Sequence, residues 1–294
     1  MDILMSFDIP WWISMISVNA INFVLGILLF IRSLKLAKKE PSNKKYFLIL
    51  RVAGMIFIAV ALYRSIFVSS YPNRLAWVDT IFNSPFVIRS LAFFAEMSFI
   101  TVICAVLIKM NIDNPLENSG IKNKKILSFL KRTPYIAFTC LFLAQPFAFA
   151  GLITQYMTLF AIEETLWAIA FLFLTPLVSI RLIQLMKKKN LDKSYKPFLI
   201  FMILWCVGYS LFQFVYALPF IHFSDLSLDI GKVIPNDAFS QAIFNFTATR
   251  DFDAWGGIGF FVWHSGYFSI CVWMVLTFML SPRERNIREN EQLT

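Results

Sequence analysis

Charge is what this chain has least of. Lys, Arg, Asp and Glu make up 15% of its 294 residues and apolar side chains 58%, where water-soluble domains run near a quarter and about half. An ordinary soluble domain is thereby excluded. Histidine is scarcer still, with His222 and His264 alone. Two histidines exclude the histidine boxes of di-iron desaturase-like enzymes and speak against a bis-histidine haem. The four cysteines, Cys104, Cys140, Cys206 and Cys271, all fall in apolar runs. Without CxxC or Cys/His spacing, neither an extracellular disulfide framework nor a zinc site is expected. There is no Gly-rich phosphate loop and no Gly-x-Ser-x-Gly. The opening MDILMSFDIPWW carries Asp2 and Asp8 in place of a basic stretch, so no cleavable signal peptide is expected. No metal and no cofactor are expected.

What the chain has instead is long apolar runs. Seven reach spanning length, near 11–31, 47–69, 86–108, 134–153, 158–181, 197–220 and 257–280. The expectation is an all-α polytopic membrane protein, a seven-transmembrane helix bundle forming one domain over 1–294. A long outer loop, 221–256, and a cytosolic tail, 281–294, complete it. Basic residues fall on alternate loops: Arg32 to Lys45, Lys109 to Arg132, Arg181 to Lys196, and Arg283, Arg285 and Arg288 in the tail. Asp79, Asp225, Asp229, Asp237, Asp251 and Asp253 fall on the others. The positive-inside rule then predicts the N-terminus outside and the C-terminus cytosolic, in a plasma or bacterial inner membrane. The net charge of +9 is accounted for by this topology; its partner is the lipid bilayer, and nucleic acid is not expected. Trp11, Trp12, Trp77 and Trp255 fall where an outer aromatic belt belongs.

The third run, Pro85 to Lys109, contains Glu96. Pro85 suits a first helical position, and Ser84 or Asn83 a cap. An acid at mid-membrane costs about 2.5–3.5 kcal/mol on insertion scales, so something must offset it. Arg64 on the second run lies at similar depth, and an Arg64–Glu96 ion pair is the simplest offset. Arg89 is seven residues before Glu96, on the same helix face and nearer the mouth. Glu163 and Glu164 on the fifth run and His264 on the seventh share that outer half, as do Asn19, Asn22 and Gln145. Adjacent residues point about 100° apart, so at most one of Glu163 and Glu164 is expected to face the centre. On the sixth run Trp205, Tyr209, Gln213 and Tyr216 recur on one face. Trp167, Trp205, Tyr209 and Tyr216 would supply aromatic walls. The inner half offers nothing comparable beyond its boundary charges. An outward-facing polar cavity is therefore expected, lined by Arg64, Arg89, Glu96, Glu163, Glu164, Trp167, Trp205, Tyr209, Gln213, Tyr216 and His264.

The seven-span, N-outside plan resembles G-protein-coupled receptors and microbial rhodopsins in architecture only. The third run lacks Asp-Arg-Tyr, and the seventh lacks both Asn-Pro-x-x-Tyr and a Schiff-base lysine. Glu163-Glu164 with Phe260-x-x-x-His264 faintly resembles membrane-embedded CAAX-type proteases. The arginine their first motif needs is Ala168 here. Asp251-Phe252-Asp253 is a short DxD string outside the spans, and Asn245-Phe246-Thr247 is an N-glycosylation acceptor pattern. Three functions are compatible with these residues. The first is binding or moving a small polar or zwitterionic solute from the outer side, receptor-like or transporter-like. The second is an enzyme acting on lipid or prenyl substrates at the outer leaflet, with Glu96, Glu164 and His264 as acid/base groups. The third is a non-catalytic subunit.

Overall fold

The computed structural model describes residues 8–39, 41–187 and 195–280. Asp2 and the tail 281–294, with Arg283, Arg285 and Arg288, lie outside the described residues, as do Lys188, Lys189 and Lys193. Seven helices are long and apolar enough to cross a membrane, one for each expected run. They are α1 (Asp8–Lys39), α2 (Lys44–Ile66), α3 (Pro85–Asp113), α4 (Lys124–Thr154) and α5 (Met157–Lys187), followed by two interrupted spans. The sixth span is α6 (Tyr195–Leu211), continued as a π-helix over Phe212–His222. The seventh is α8 (Ile258–Gly266), a π-helical turn over Tyr267–Cys271, and α9 (Val272–Met279). Between them, in the long loop, lies the short α7 (Ala238–Phe244).

The exterior is what a lipid-facing bundle requires. Ile13, Ile21, Val24, Leu28 and Ile31 on α1 are all exposed, a continuous apolar surface that water would not tolerate. The inward face of α1 is the more polar one, with Asn19, Asn22 and Ser33 buried beside Trp11, Met15 and Gly26. Asn19 donates to Ser65 Oγ on α2 at 2.8 Å. α3 sits at the centre, with 61% of its span buried against 22% for α1. A side chain at Gly54 on α2 would come within 2.7 Å of Met279 Cγ, so glycine lets α2 and α9 approach closely. Helices α4 and α5 run on through Pro134, Pro146 and Pro176. Helical irregularity falls instead on the sixth and seventh spans. In the sixth, Pro219 has no N–H to give, and Phe223 N bonds back five residues to Leu218 O at 2.9 Å.

The aspartate-rich end is laced together. Strands β1 (Ser69–Ser70) and β2 (Leu75–Ala76) pair antiparallel, and β3 (Thr247–Ala248) joins β2 in parallel. Asp229 caps the start of α5, accepting from Met157 N and Thr158 N at 2.8 Å each and from Thr158 Oγ1 at 2.6 Å. At the adjoining end of α4, Arg74 donates to the carbonyls of Leu152 and Ile153 at 3.2 Å, and Lys232 donates to the carbonyl of Gln155. The long loop is therefore anchored to the α4–α5 turn and to the β1–β2 hairpin.

Three local expectations are corrected. Ser84 makes no side-chain cap on α3; its hydroxyl donates to Ile243 O at 2.6 Å, tying α3 to α7. Three of the four tryptophans expected in a belt face inward. Trp11, Trp77 and Trp255 are buried and touch one another, with centroids 5.6 Å apart for Trp11–Trp77 and for Trp77–Trp255. Mutual packing, with Phe261 at 4.6 Å from Trp11, outcompetes the lipid interface for these rings. The basic half also has buried polar groups of its own, because long stems fold inward from helix ends. Arg51 is buried under Phe30, and Arg181 donates to Gln184 Oε1 at 2.8 Å and Asn111 Oδ1 at 2.5 Å.

Candidate functional site: a divided polar layer

Burial decides the geometry at Arg89. Arg89 is fully buried, so its guanidinium must find its partners inside the bundle. Glu96 is two helical turns further along α3, on the same face. The two close bidentately, Nη1 to Oε1 at 2.9 Å and Nη2 to Oε2 at 2.8 Å. Two parallel charge-assisted bonds of this kind are the strongest arrangement open to an arginine. Glu163 on α5 adds a longer contact from Nη1 at 3.4 Å. Gln145 on α4 closes the cluster, accepting from Arg89 Nη2 and donating to Glu96 Oε2 at 3.0 Å. One guanidinium thus ties α3, α4 and α5 together.

The expected Arg64–Glu96 pair is not formed. Arg64 is buried but reaches Tyr71, donating from Nη2 to the hydroxyl at 2.8 Å. Its guanidinium lies over the rings of Phe268 and Tyr71, at 4.9 Å and 5.6 Å from their centroids. Tyr71 also carries Arg89 at 5.6 Å, so one ring lies beside both cations. Equal depth places two residues in one layer but leaves their azimuth open. Arg89, already on the face of Glu96, takes the carboxylate.

Glu163 and Glu164 are both used. They diverge around α5 as neighbours must, Glu163 toward Arg89 and Glu164 toward the sixth span. Glu164 Oε2 accepts from Tyr209 Oη at 2.8 Å and from Gln213 Nε2 at 2.6 Å. Gln213 Nε2 also reaches the Tyr209 hydroxyl at 2.9 Å. Aromatic rings flank this second cluster. Trp205 stacks on Tyr209 with centroids 5.3 Å apart, Phe171 meets Tyr209 at 5.3 Å and Trp167 meets it at 6.2 Å. Tyr216, expected on the same wall, is 53% exposed on the outer surface. The change to π-helical winding at Phe212 turns it off the face that 3.6-residue spacing would give it.

His264 is buried but stands apart from the carboxylates. It packs among the rings of Phe268, Trp11 and Phe260, at 4.4, 5.3 and 5.5 Å. Its charged neighbour is Arg64 rather than an acid. The structure therefore does not join His264 to Glu96 or Glu164 as an acid/base set, and a carboxylate beside His264 is not found among the described residues. Asp251 Oδ1 accepts from Asp253 N at 3.1 Å in a local turn, and no group of three or more metal-ligating side chains occurs among the described residues.

Sequence reasoning missed Tyr71, which lies in a connection between spans and carries no periodic signal. It also missed Asp229, Lys232 and Arg74, whose partners are remote in sequence. No protein-family model, curated protein or solved structure matches this chain.

Proposed function

We propose that this multi-pass membrane protein binds or moves a small polar or zwitterionic solute through the polar layer in its acidic half. In this reading the acidic end and the N-terminus face outside and the C-terminus is cytosolic, in a plasma or bacterial inner membrane. The orientation rests on the distribution of basic residues. The functional reading rests on one observation. Three carboxylates and two guanidiniums, Glu96, Glu163, Glu164, Arg64 and Arg89, occupy one layer of an apolar bundle. A structural pin needs one matched pair, and Arg89–Glu96 already is that pair. Arg64, on tyrosine and ring faces, and Glu164, on neutral donors, are the surplus of opposite sign that a zwitterion would match. The lipid-active enzyme reading has less support, because His264 is packed among rings away from both candidate acids.

The test is thermal unfolding of the purified protein against panels of amino acids, betaines, simple anions and simple cations. A ligand that binds the folded state at a hundred times its Kd stabilises by about 2.7 kcal/mol. Zwitterions are expected to raise Tm more than either ion class, and Arg64→Gln to abolish the gain. A panel in which no zwitterion raises Tm above its matched ions overturns the reading.

A further inference from the structure

We infer that the hydrogen-bonded cluster of Glu164, Tyr209 and Gln213 is a subsite for an organic ammonium group that carries N–H donors. The inference deepens the solute-binding reading by assigning the cationic pole of the solute to one place. Glu164 is the eighth residue of α5, about 10 Å along the helix from its start. That is beyond the reach of the helix-terminal dipole, so the terminus does not explain a carboxylate there. Both hydrogen bonds it receives come from neutral groups and both go to Oε2. Its Oε1 takes none among the described residues, and the side chain is partly exposed. His222 and Arg89 lie within electrostatic reach without forming an ion pair to it.

A second, independent observation points to a ligand. Gln213 is 98% buried, at 2% exposure, yet its Oε1 has no hydrogen-bond partner. The same amide places its nitrogen 2.6 Å from Glu164 and 2.9 Å from Tyr209, so the unmet oxygen belongs to the same cluster. A buried acceptor without a donor destabilises the fold, and it is the kind of group a bound N–H relieves. The surrounding rings select the rest of the ligand. Trp167, Phe171, Trp205 and Tyr209 pack together beside the carboxylate, an aromatic setting that favours an organic cation. A carboxylate, an acceptor oxygen and aromatic walls together suit a primary or secondary ammonium. A quaternary ammonium has no hydrogen for Gln213 Oε1, and an alkali cation gains little from the rings.

The experiment uses the full chain in detergent and titrates butylammonium, tetramethylammonium and sodium chlorides at constant ionic strength, following tryptophan emission. Butylammonium is expected to give a saturable change that tetramethylammonium and sodium do not reproduce. Glu164→Gln and Gln213→Leu should each weaken it at least tenfold, and Glu117→Gln should leave it unchanged. A butylammonium response matched by tetramethylammonium or by sodium overturns the assignment, as does a folded wild-type protein with no saturable response. The ion competition needs no variant, so it decides even if a substituted chain fails to fold. If zwitterions stabilise the protein but Glu164→Gln does not weaken them, the subsite fails and the solute reading stands. If butylammonium saturates while no zwitterion binds, the subsite stands and the solute reading fails.

Discussion

Arg89 and Arg64 lie in the same layer, are buried to nearly the same extent, and are treated in opposite ways. Arg89 has two carboxylates and an amide on three helices, and both of its terminal nitrogens are met there while Nε is not. Arg64 has one neutral hydroxyl and the faces of two rings. Coulomb energy at short range in low dielectric dominates the first site, while weaker cation–π attraction holds the second. The difference separates what holds the bundle from what is left for a ligand. A closed cluster loses stability when any member is removed; an open cation can be altered with less structural loss.

The largest expected effect follows from breaking the closed side. Arg89→Met leaves Glu96 and Glu163 buried without a cation and should destabilise the protein by about 3–5 kcal/mol. Equilibrium unfolding in mixed detergent reads this directly. Arg64→Met should cost less, about 1–2 kcal/mol, since it removes one charged hydrogen bond and cation–π contacts. Equal losses in the two variants would erase the distinction between the sites. Asp229→Ala removes the cap of α5 and an anchor of the long loop, for about 0.5–2 kcal/mol. Proteolysis between α6 and α8 should speed up in that variant, and an unchanged cleavage rate would mean that the loop is held elsewhere. Smallest is Tyr216→Leu, on the exterior of the bundle, expected within about 0.5 kcal/mol of wild type. A larger loss would put Tyr216 back on the inner wall.

The seven spans were legible because hydropathy over twenty residues is a local property of the chain. So was the polar layer, because counting residues along each span gives depth. Partner choice was not legible, because depth says nothing of rotation about the helix axis. Arg64 had the right height for Glu96 and Arg89 the right face; only the folded bundle shows that Arg89 closes the two-turn gap and takes the carboxylate. Glu163 and Glu164 show the converse. Their 100° divergence was read correctly, but it serves two neighbours, α3 and the sixth span, where one had been expected. The π-helical segments at Phe212–His222 and Tyr267–Cys271 had no readable signal, since in an almost wholly apolar run a period of 4.4 cannot be told from 3.6. Tyr216 was misplaced for that reason. Trp11, Trp77 and Trp255 were misread because a position near the end of a span fits both a lipid interface and a buried cap of rings.

The most direct measurement of the divided layer is a pair of double-mutant cycles on Glu96, one with Arg89 and one with Arg64, each pair taken to apolar residues. The structure predicts a coupling of several kcal/mol, about 3 or more, between Arg89 and Glu96, with the Arg89→Met, Glu96→Leu double variant recovering much of the loss. It predicts a coupling within about 0.5 kcal/mol of zero between Arg64 and Glu96. A strong Arg64–Glu96 coupling beside a weak Arg89–Glu96 coupling would contradict the account, because the open cation would then be the one that holds the bundle.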